Sequence, residues 1–254
     1  GKEVLMKRKK DGVALTILRY DPARAAPPYY QTFDVTATKD TTVLDALFQV
    51  LETQDHSLAF RYSCRSAVCG SCAMFINGWY RLACSTLISQ LGRDIIVQPL
   101  PHMPIIKDLV VDLSSFFEKY EVIKPYVVPT KPPPEKEWVQ SPKERSTIDY
   151  STDCIMCAAC YSSCPMVWTG KRYLGPAALL QAYRFAADSR DGMLRDRLQV
   201  VSSEDGLWRC HTVFNCTEAC PKSLNPARFI ENLKRASTKE TLRARIPFLT
   251  RSST

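Results

Sequence analysis

The sequence predicts an α+β chain of two halves, a mixed sheet with one packed helix followed by a helical half. Three observations predict it. Apolar residues alternate along short segments of the first half, and one strongly amphipathic helix lies among them. In the second half, Gly175-Pro176 and Asn225-Pro226 each stand immediately before a helical apolar pattern.

Val13, Leu15 and Ile17 alternate along the first strand, and Phe33 and Val35 lie in a second. Thr42 and Asp45 form a capping-box-like start before Val43, Leu44, Ala46, Leu47, Val50 and Leu51, which share one helix face. Ala73–Ile76 and Trp79–Leu82 flank Asn77-Gly78, the pair that a type I′ hairpin turn favours because both residues take positive φ. Ile95–Val97 supplies another strand.

A helix is expected from Leu113 to Ile123, followed by a stiff extended arm from Val127 to Pro134, where Pro129, Pro132, Pro133 and Pro134 favour polyproline geometry. In the second half Ala177, Leu180, Tyr183 and Ala187 follow Gly175-Pro176, and that helix is expected to stop near Asp191-Gly192. Asn225 reads as an N-cap with Pro226 at the first helical position, ahead of Phe229, Ile230 and Leu233.

The eleven cysteines fall into three tight groups with none left over. Cys64, Cys69, Cys72 and Cys84 read C-x4-C-x2-C with a fourth ligand further on, close to the plant-type [2Fe–2S] spacing. Cys154, Cys157, Cys160 and Cys164 form the run C-x2-C-x2-C-x3-C-P of bacterial ferredoxins. Cys210, Cys216 and Cys220 repeat that run's length and its terminal C-P, but Val213 takes the second ligand position.

In two-cluster ferredoxins the fourth cysteine of each run ligates the other cluster. That swap assigns Cys154, Cys157, Cys160 and Cys220 to a [4Fe–4S] cluster, and Cys164, Cys210 and Cys216 to a second centre. Three thiolates and the aliphatic Val213 suit a [3Fe–4S] cluster; a cubane whose fourth iron is held by water is the alternative. The hairpin matters to the first group because it returns Cys84 beside Cys72, and Gly70 and Ser71 are expected to let backbone N–H groups approach the cluster sulfurs.

Other uses of the cysteines fit less well. Eleven is odd, the x2 spacings strain a disulfide framework, and no signal-peptide pattern stands at the start, so a reducing compartment is expected. Zinc prefers closed sets of four ligands, and the seven cysteines after the first group cannot make two without His211. No C-x-x-C-H motif for c-type haem occurs.

Composition sets outer bounds. At 254 residues the chain accommodates two domains, and 45% hydrophobic content is that of an ordinary globular protein. No apolar run is long enough to span a bilayer, so membrane association is expected to be peripheral. The net charge of +8 is spread along the chain and densest at the end (Lys234, Arg235, Lys239, Arg243, Arg245, Arg251). It reads either as a solvated basic terminus or as a lipid-headgroup contact. Basic charge alone permits nucleic-acid binding, but three redox-type cysteine groups are more than a structural role in such a protein requires.

The stretches RYSCRSAVCGSCAMFING, PLPHMPIIKDLVVD, CIMCAACYSSCP, LGPAALLQAYRFAADSRD and RCHTVFNCTEACPKSLNP carry a close resemblance. The chain resembles the iron–sulfur subunits of succinate:quinone oxidoreductase (respiratory complex II) and of its relative, fumarate reductase, from about residue 15 to 235. The resemblance implies a β-grasp ferredoxin domain over residues 1–112 and an α-helical dicluster ferredoxin domain over 113–254. The latter would contain a helix and Pro-rich arm at 113–147 and a basic tail at 239–254.

The resemblance also implies an electron relay. A partner flavoprotein carrying FAD would oxidise succinate, so no catalytic residue is expected in this chain. Electrons would pass from [2Fe–2S] through [4Fe–4S] and [3Fe–4S] to a quinone beside membrane-anchor subunits, whose haem b content stays open. The protein would then sit peripherally on the cytoplasmic or matrix side of the inner membrane. Quinone-side residues would be Pro165, Trp168 and His211. The family has two adjacent tryptophans where this chain has Trp168-Thr169. The direction, succinate oxidation or fumarate reduction, is not separated by the cysteine pattern, and a stand-alone multicluster electron carrier is the remaining alternative.

Overall fold

Strand β1 (Gly12–Arg19) places Val13, Leu15 and Ile17 on a buried face, and pairs antiparallel with β2 (Tyr29–Thr36), where Phe33 and Val35 point the same way. The computed structural model describes residues 12–129, 132 and 134–245. Among these, helix α1 (Val43–Thr53) begins with the expected reciprocal cap: Thr42 Oγ1 accepts the Asp45 N–H, and the Asp45 carboxylate accepts the Thr42 N–H. Such a cap contributes about 1 kcal/mol. Burial of Val43, Leu44, Ala46, Leu47 and Val50 contributes more, at ~1.5–3 kcal/mol for each large apolar side chain.

Hairpin strands β3 (Ala73–Ile76) and β4 (Trp79–Leu82) turn at Asn77 and Gly78, whose φ values of 47° and 81° are those of a type I′ turn. Strand β5 (Asp94–Gln98) joins the two hairpins, parallel to β1 and antiparallel to β3, and gives the order β2-β1-β5-β3-β4. This mixed five-stranded sheet carries α1 on its apolar side, with Met74, Ile76, Ile95 and Val97 completing one core.

A second small hairpin, β6 (Ile105–Lys107) and β7 (Val110–Val111), was not expected from the sequence. Its turn buries Asp108, which accepts hydrogen bonds from Arg19 Nε at 2.9 Å and from the backbone N–H groups of Tyr20 and Ala59. Arg19 also donates to Asp55 at 2.5 Å and holds that carboxyl below its ordinary range. The end of β1 is thus tied to two loops through a buried, fully paired cation, the condition under which burying a charge is tolerated.

By internal contacts the chain divides into two compact units, Gly1–Asp112 with Ile155–Ala159, and Leu113–Cys154 with Cys160–Thr254. The second unit is helical. Helix α2 (Ser114–Val122) covers the expected span, and Phe116 packs edge-on against Tyr161. Of the expected arm, Thr130, Lys131 and Pro133 lie outside the described residues; Val127, Val128 and Pro129 have no regular secondary structure. Val128 is fixed at both ends of its peptide, donating to Asp191 Oδ2 and accepting from the Gly192 N–H. Helix α3 (Pro142–Ile148), unremarked in the sequence reading, starts with a full capping box of Ser141 and Glu144.

Three short helices, α4 (Ala159–Ser162), α5 (Pro165–Thr169) and α8 (Asn215–Glu218), carry the cysteine runs. Between them lie α6 (Pro176–Ala186) and α7 (Leu194–Val201), and α9 (Pro226–Arg245) closes the unit against α6. Asn225 Oδ1 accepts the Arg228 N–H, which makes it the N-cap of α9 as expected.

One boundary needs correction. Helix α6 ends at Ala186 rather than near Asp191-Gly192. Asp188 accepts the Arg190 N–H and both carboxylate oxygens take the Arg190 guanidinium, so a local side-chain turn replaces the next helical turn.

Candidate metal centres

The first cysteine group sits on a loop wound around its own sulfurs. Arg65 and Ala67 both take φ near 56°, which turns successive N–H groups inward. Cys64 Sγ accepts from Ser66, Val68 and Cys69 at 3.2–3.4 Å, and Cys84 Sγ accepts from Ala67 at 3.3 Å. The hairpin delivers Cys84: the Ala83 N–H bonds the Cys72 carbonyl at 3.0 Å. A neutral thiol is a weak acceptor, so four N–H donors aimed at two sulfurs suit thiolates holding a cluster.

Cys69 and Cys72 differ sharply in environment. The Cys64 N–H and the Ser71 hydroxyl draw the Cys69 thiol down to about 6, whereas burial pushes Cys72 up to about 12. Gly70 between them has φ 75°, and a Cβ there would meet Cys157 Cβ and the Ile155 carbonyl at 2.8 Å. The close approach that requires glycine is therefore to the Ile155–Cys157 segment of the same unit.

In the second unit the two ferredoxin-like runs are laced together. Ser163 Oγ donates to the Asn215 carbonyl at 3.2 Å, and Asn215 Nδ2 returns a bond to the Ser163 carbonyl at 3.3 Å. This brings Cys164 of one run beside Cys210 and Cys216 of the other, near enough that Cys210 opposes ionisation of Cys164, and Cys164 and Cys210 oppose that of Cys216. Burial is the larger effect and pushes Cys216 up to about 12.

Cys154 and Cys220 both pack on the apolar cluster of Leu180, Leu224 and Phe229, with the Leu224 N–H pointing at Cys220 Sγ. Cys160 stands half-buried on α4, and Cys157 packs against the core of the first unit. No disulfide joins any of the eleven cysteines. Among the described residues no three His, Cys, Asp or Glu side chains converge as they would on a single metal ion. In a cubane cluster each thiolate holds a different iron, which asks for wider spacing than a single ion does.

Beside Cys164, Cys210 and Cys216 lies Tyr173, 1% exposed, whose hydroxyl has no hydrogen-bond partner. Its lone place before Leu174-Gly175-Pro176 carries no spacing signal that ties it to the cysteines. An orphaned donor facing three thiols fits a sulfur-rich centre. Val213, whose aliphatic side chain has no ligating atom, is 46% exposed on a loop where Thr212 and Phe214 take positive φ.

The residues expected near quinone lie close in sequence to these ligands. Pro165 opens α5 and is half-buried, His211 is exposed, and Trp168 is 41% exposed with its indole N–H on the Ser162 carbonyl. Trp208 and Phe214 are similarly exposed, and Lys234 donates to the Cys210 carbonyl at 2.9 Å. Of the basic stretch, Lys234, Arg235, Lys239 and Arg243 stand on α9, while Arg251 lies outside the described residues.

Comparison with known proteins agrees with this donor set. Residues 14–118 match the 2Fe-2S iron-sulfur cluster binding domain family, and residues 150–224 match the 4Fe-4S dicluster domain family. The chain is 46% identical over 220 residues to a succinate dehydrogenase iron-sulfur subunit of Paracoccus denitrificans, covering 86% of this chain and 85% of that one. It is 44% identical over 239 residues to the mitochondrial succinate dehydrogenase [ubiquinone] iron-sulfur subunit of Dictyostelium discoideum, covering 89% and 83%. Among solved structures, the Mycobacterium smegmatis Sdh1 complex in the apo form contains a chain that superposes with TM-score 0.78 at 26% identity, over 90% of this chain and 96% of that one.

Proposed function

The chain belongs to the family of succinate dehydrogenase iron–sulfur subunits, and we propose that its eleven cysteines hold three clusters in series. Cys64, Cys69, Cys72 and Cys84 would hold [2Fe–2S] in a domain of residues 1–112. Cys154, Cys157, Cys160 and Cys220 would hold [4Fe–4S], and Cys164, Cys210 and Cys216 would hold [3Fe–4S], in a domain of residues 113–254. When bound, such clusters supply one-electron transfer between reduced flavin and quinone. The meeting of Cys164 with Cys210 and Cys216 carries this reading, because only a ligand exchange between the two runs assembles that set.

The chain's own residues do the holding and tuning. Backbone N–H groups of Ser66, Ala67, Val68 and Cys69 fix the sulfurs of Cys64 and Cys84. Val213 supplies no fourth thiolate, and an open corner suits three irons. The Lys234 ammonium sits on the Cys210 carbonyl and places a positive charge beside that ligand.

Within the complex, this subunit would take electrons from an FAD-bearing flavoprotein and deliver them to quinone at membrane-anchor subunits. Dicarboxylate chemistry belongs to the flavoprotein. Exposed Trp168, Trp208, Val213 and Phe214 gather in sequence around the three-iron ligands, a surface that a membrane-anchor partner would cover. No helix of the described residues is long and apolar enough to cross a membrane, so attachment would be through those partners. Pro165, Trp168 and His211 would face the quinone, with the His211 imidazole exposed.

The test compares two acceptors in the purified complex. His211→Ala should slow succinate-driven quinone reduction more than reduction of an artificial dye that accepts at the flavin or the early clusters. Equal loss of both would overturn the quinone-side assignment. A chain that purifies alone with all clusters and no affinity for a flavoprotein would overturn the relay in favour of a free electron carrier.

A further inference from the structure

Tyr173 is buried to 1% exposure, and its hydroxyl finds no hydrogen-bond partner in the protein. Leaving such a group unpaired costs about 1–3 kcal/mol, which is why nearly all buried hydroxyls have partners. The ring has little freedom to seek one. Its own N–H bonds the Gly170 carbonyl at 2.9 Å, the next N–H bonds the Asp205 carbonyl at 2.9 Å, and Gly175 then turns the chain into α6 at φ 87°. The hydroxyl is thereby held among Cys210, Cys164 and Cys216, with Cys210 acting on it most strongly of the three.

We propose that Tyr173 donates its phenolic hydrogen to a sulfur of the cluster held by Cys164, Cys210 and Cys216, and so raises the reduction potential of that cluster. The inference rests on the three-iron reading given above. A donor fixed at the cluster favours the reduced state, which carries one more negative charge, over the oxidised state. The phenol supplies a proton donor where three thiolates and their cluster supply only acceptors. It also explains why a tyrosine, whose hydroxyl would otherwise be a liability, occupies a wholly buried position here.

The experiment uses the assembled complex carrying Tyr173→Phe, which keeps the ring and removes only the hydroxyl. Redox titration should move the midpoint of the oxidised three-iron resonance to a more negative value, with the [2Fe–2S] midpoint unchanged. Electron–nuclear double resonance on that resonance after exchange into D2O should reveal an exchangeable proton in the parent complex that Tyr173→Phe lacks. An unchanged midpoint with the exchangeable coupling retained would overturn the role of Tyr173 while leaving the cluster in place.

Should Tyr173→Phe lose the cluster, 3-fluorotyrosine at position 173 keeps the shape and strengthens the donor. It should move the midpoint positive, and no movement would overturn the proposal. A parent complex with no oxidised three-iron resonance is a separate outcome. It would overturn the underlying cluster reading and this inference with it.

Discussion

Arg197 and Asp191 form a two-pronged ion pair with both side chains 1% exposed, Nη2 to Oδ2 at 2.7 Å and Nε to Oδ1 at 3.2 Å. The rest of the guanidinium is spent on the carbonyls of Ile123, Lys124 and Tyr126, so all of its N–H donors have acceptors. Asp191 in turn accepts the N–H groups of Val128 and Met193. One buried cation thus pins the chain after α2 to the turn between α6 and α7, inside the unit that carries the paired cysteine runs.

Arg197→Met is expected to destabilise the second unit by about 3–5 kcal/mol, because it leaves Asp191 buried without its counter-charge. Arg197→Lys should recover little of this, since an ammonium cannot reproduce the planar fork. Thermal loss of visible cluster absorbance in the purified complex should fall by several degrees or more in both variants. A shift within error would mean that the pair is dispensable.

Gly70→Ala and Gly78→Ala separate two costs of adding a methyl group. Both glycines have positive φ, which costs an alanine about 1–2 kcal/mol. Gly78 has open space around it, whereas at Gly70 the new Cβ meets Cys157 Cβ and the Ile155 carbonyl at 2.8 Å. Gly70→Ala should therefore lower retention of cluster absorbance on purification markedly, and Gly78→Ala only slightly. Equal effects would contradict a packing role for Gly70.

In the cluster-free chain, alkylation should discriminate among the first four cysteines. The thiolate is the reactive form, so Cys69, drawn down to about 6 by the Cys64 N–H, should reach half its maximal rate near that pH. Cys72, pushed up to about 12 by burial, should stay inert at neutral pH. Alkylation mapped by mass spectrometry across pH 5–9 checks this. Equal rates at the two sites would show that the loop does not keep its wound form without iron.

Much of this was legible in the chain, for reasons that differ by element. Val13-Leu15-Ile17, the Thr42–Asp45 cap and the Asn77-Gly78 turn are local patterns, and each appears where expected. Strands β6 and β7 are three and two residues long, too short to show a period. Helix α3 was readable: Ser141-Pro142 followed by Glu144 is a capping-box start. The site divides in the same way. Spacing alone grouped the cysteines, but Tyr173 and Arg197 matter through burial and orientation, and a lone tyrosine or a helical arginine reads as ordinary surface until the fold places it.

Val213→Cys should supply the missing fourth thiolate and convert the three-iron centre to a four-iron one. The added ligand charge lowers the reduction potential, so the centre should stay oxidised under reductants that reduce the parent. Iron content and redox titration check this, and unchanged values would contradict the ligand exchange between the two runs.

Low-temperature electron paramagnetic resonance on the complex, as purified in air and after stepwise reduction, tests the three-cluster relay most directly. The account predicts a near-isotropic resonance in the oxidised sample from the centre at Cys164, Cys210 and Cys216. That signal should vanish on mild reduction, with a [2Fe–2S] resonance appearing next. A sample silent when oxidised, with only reduced cubane signals, would contradict it and require two four-iron clusters in the second half of the chain.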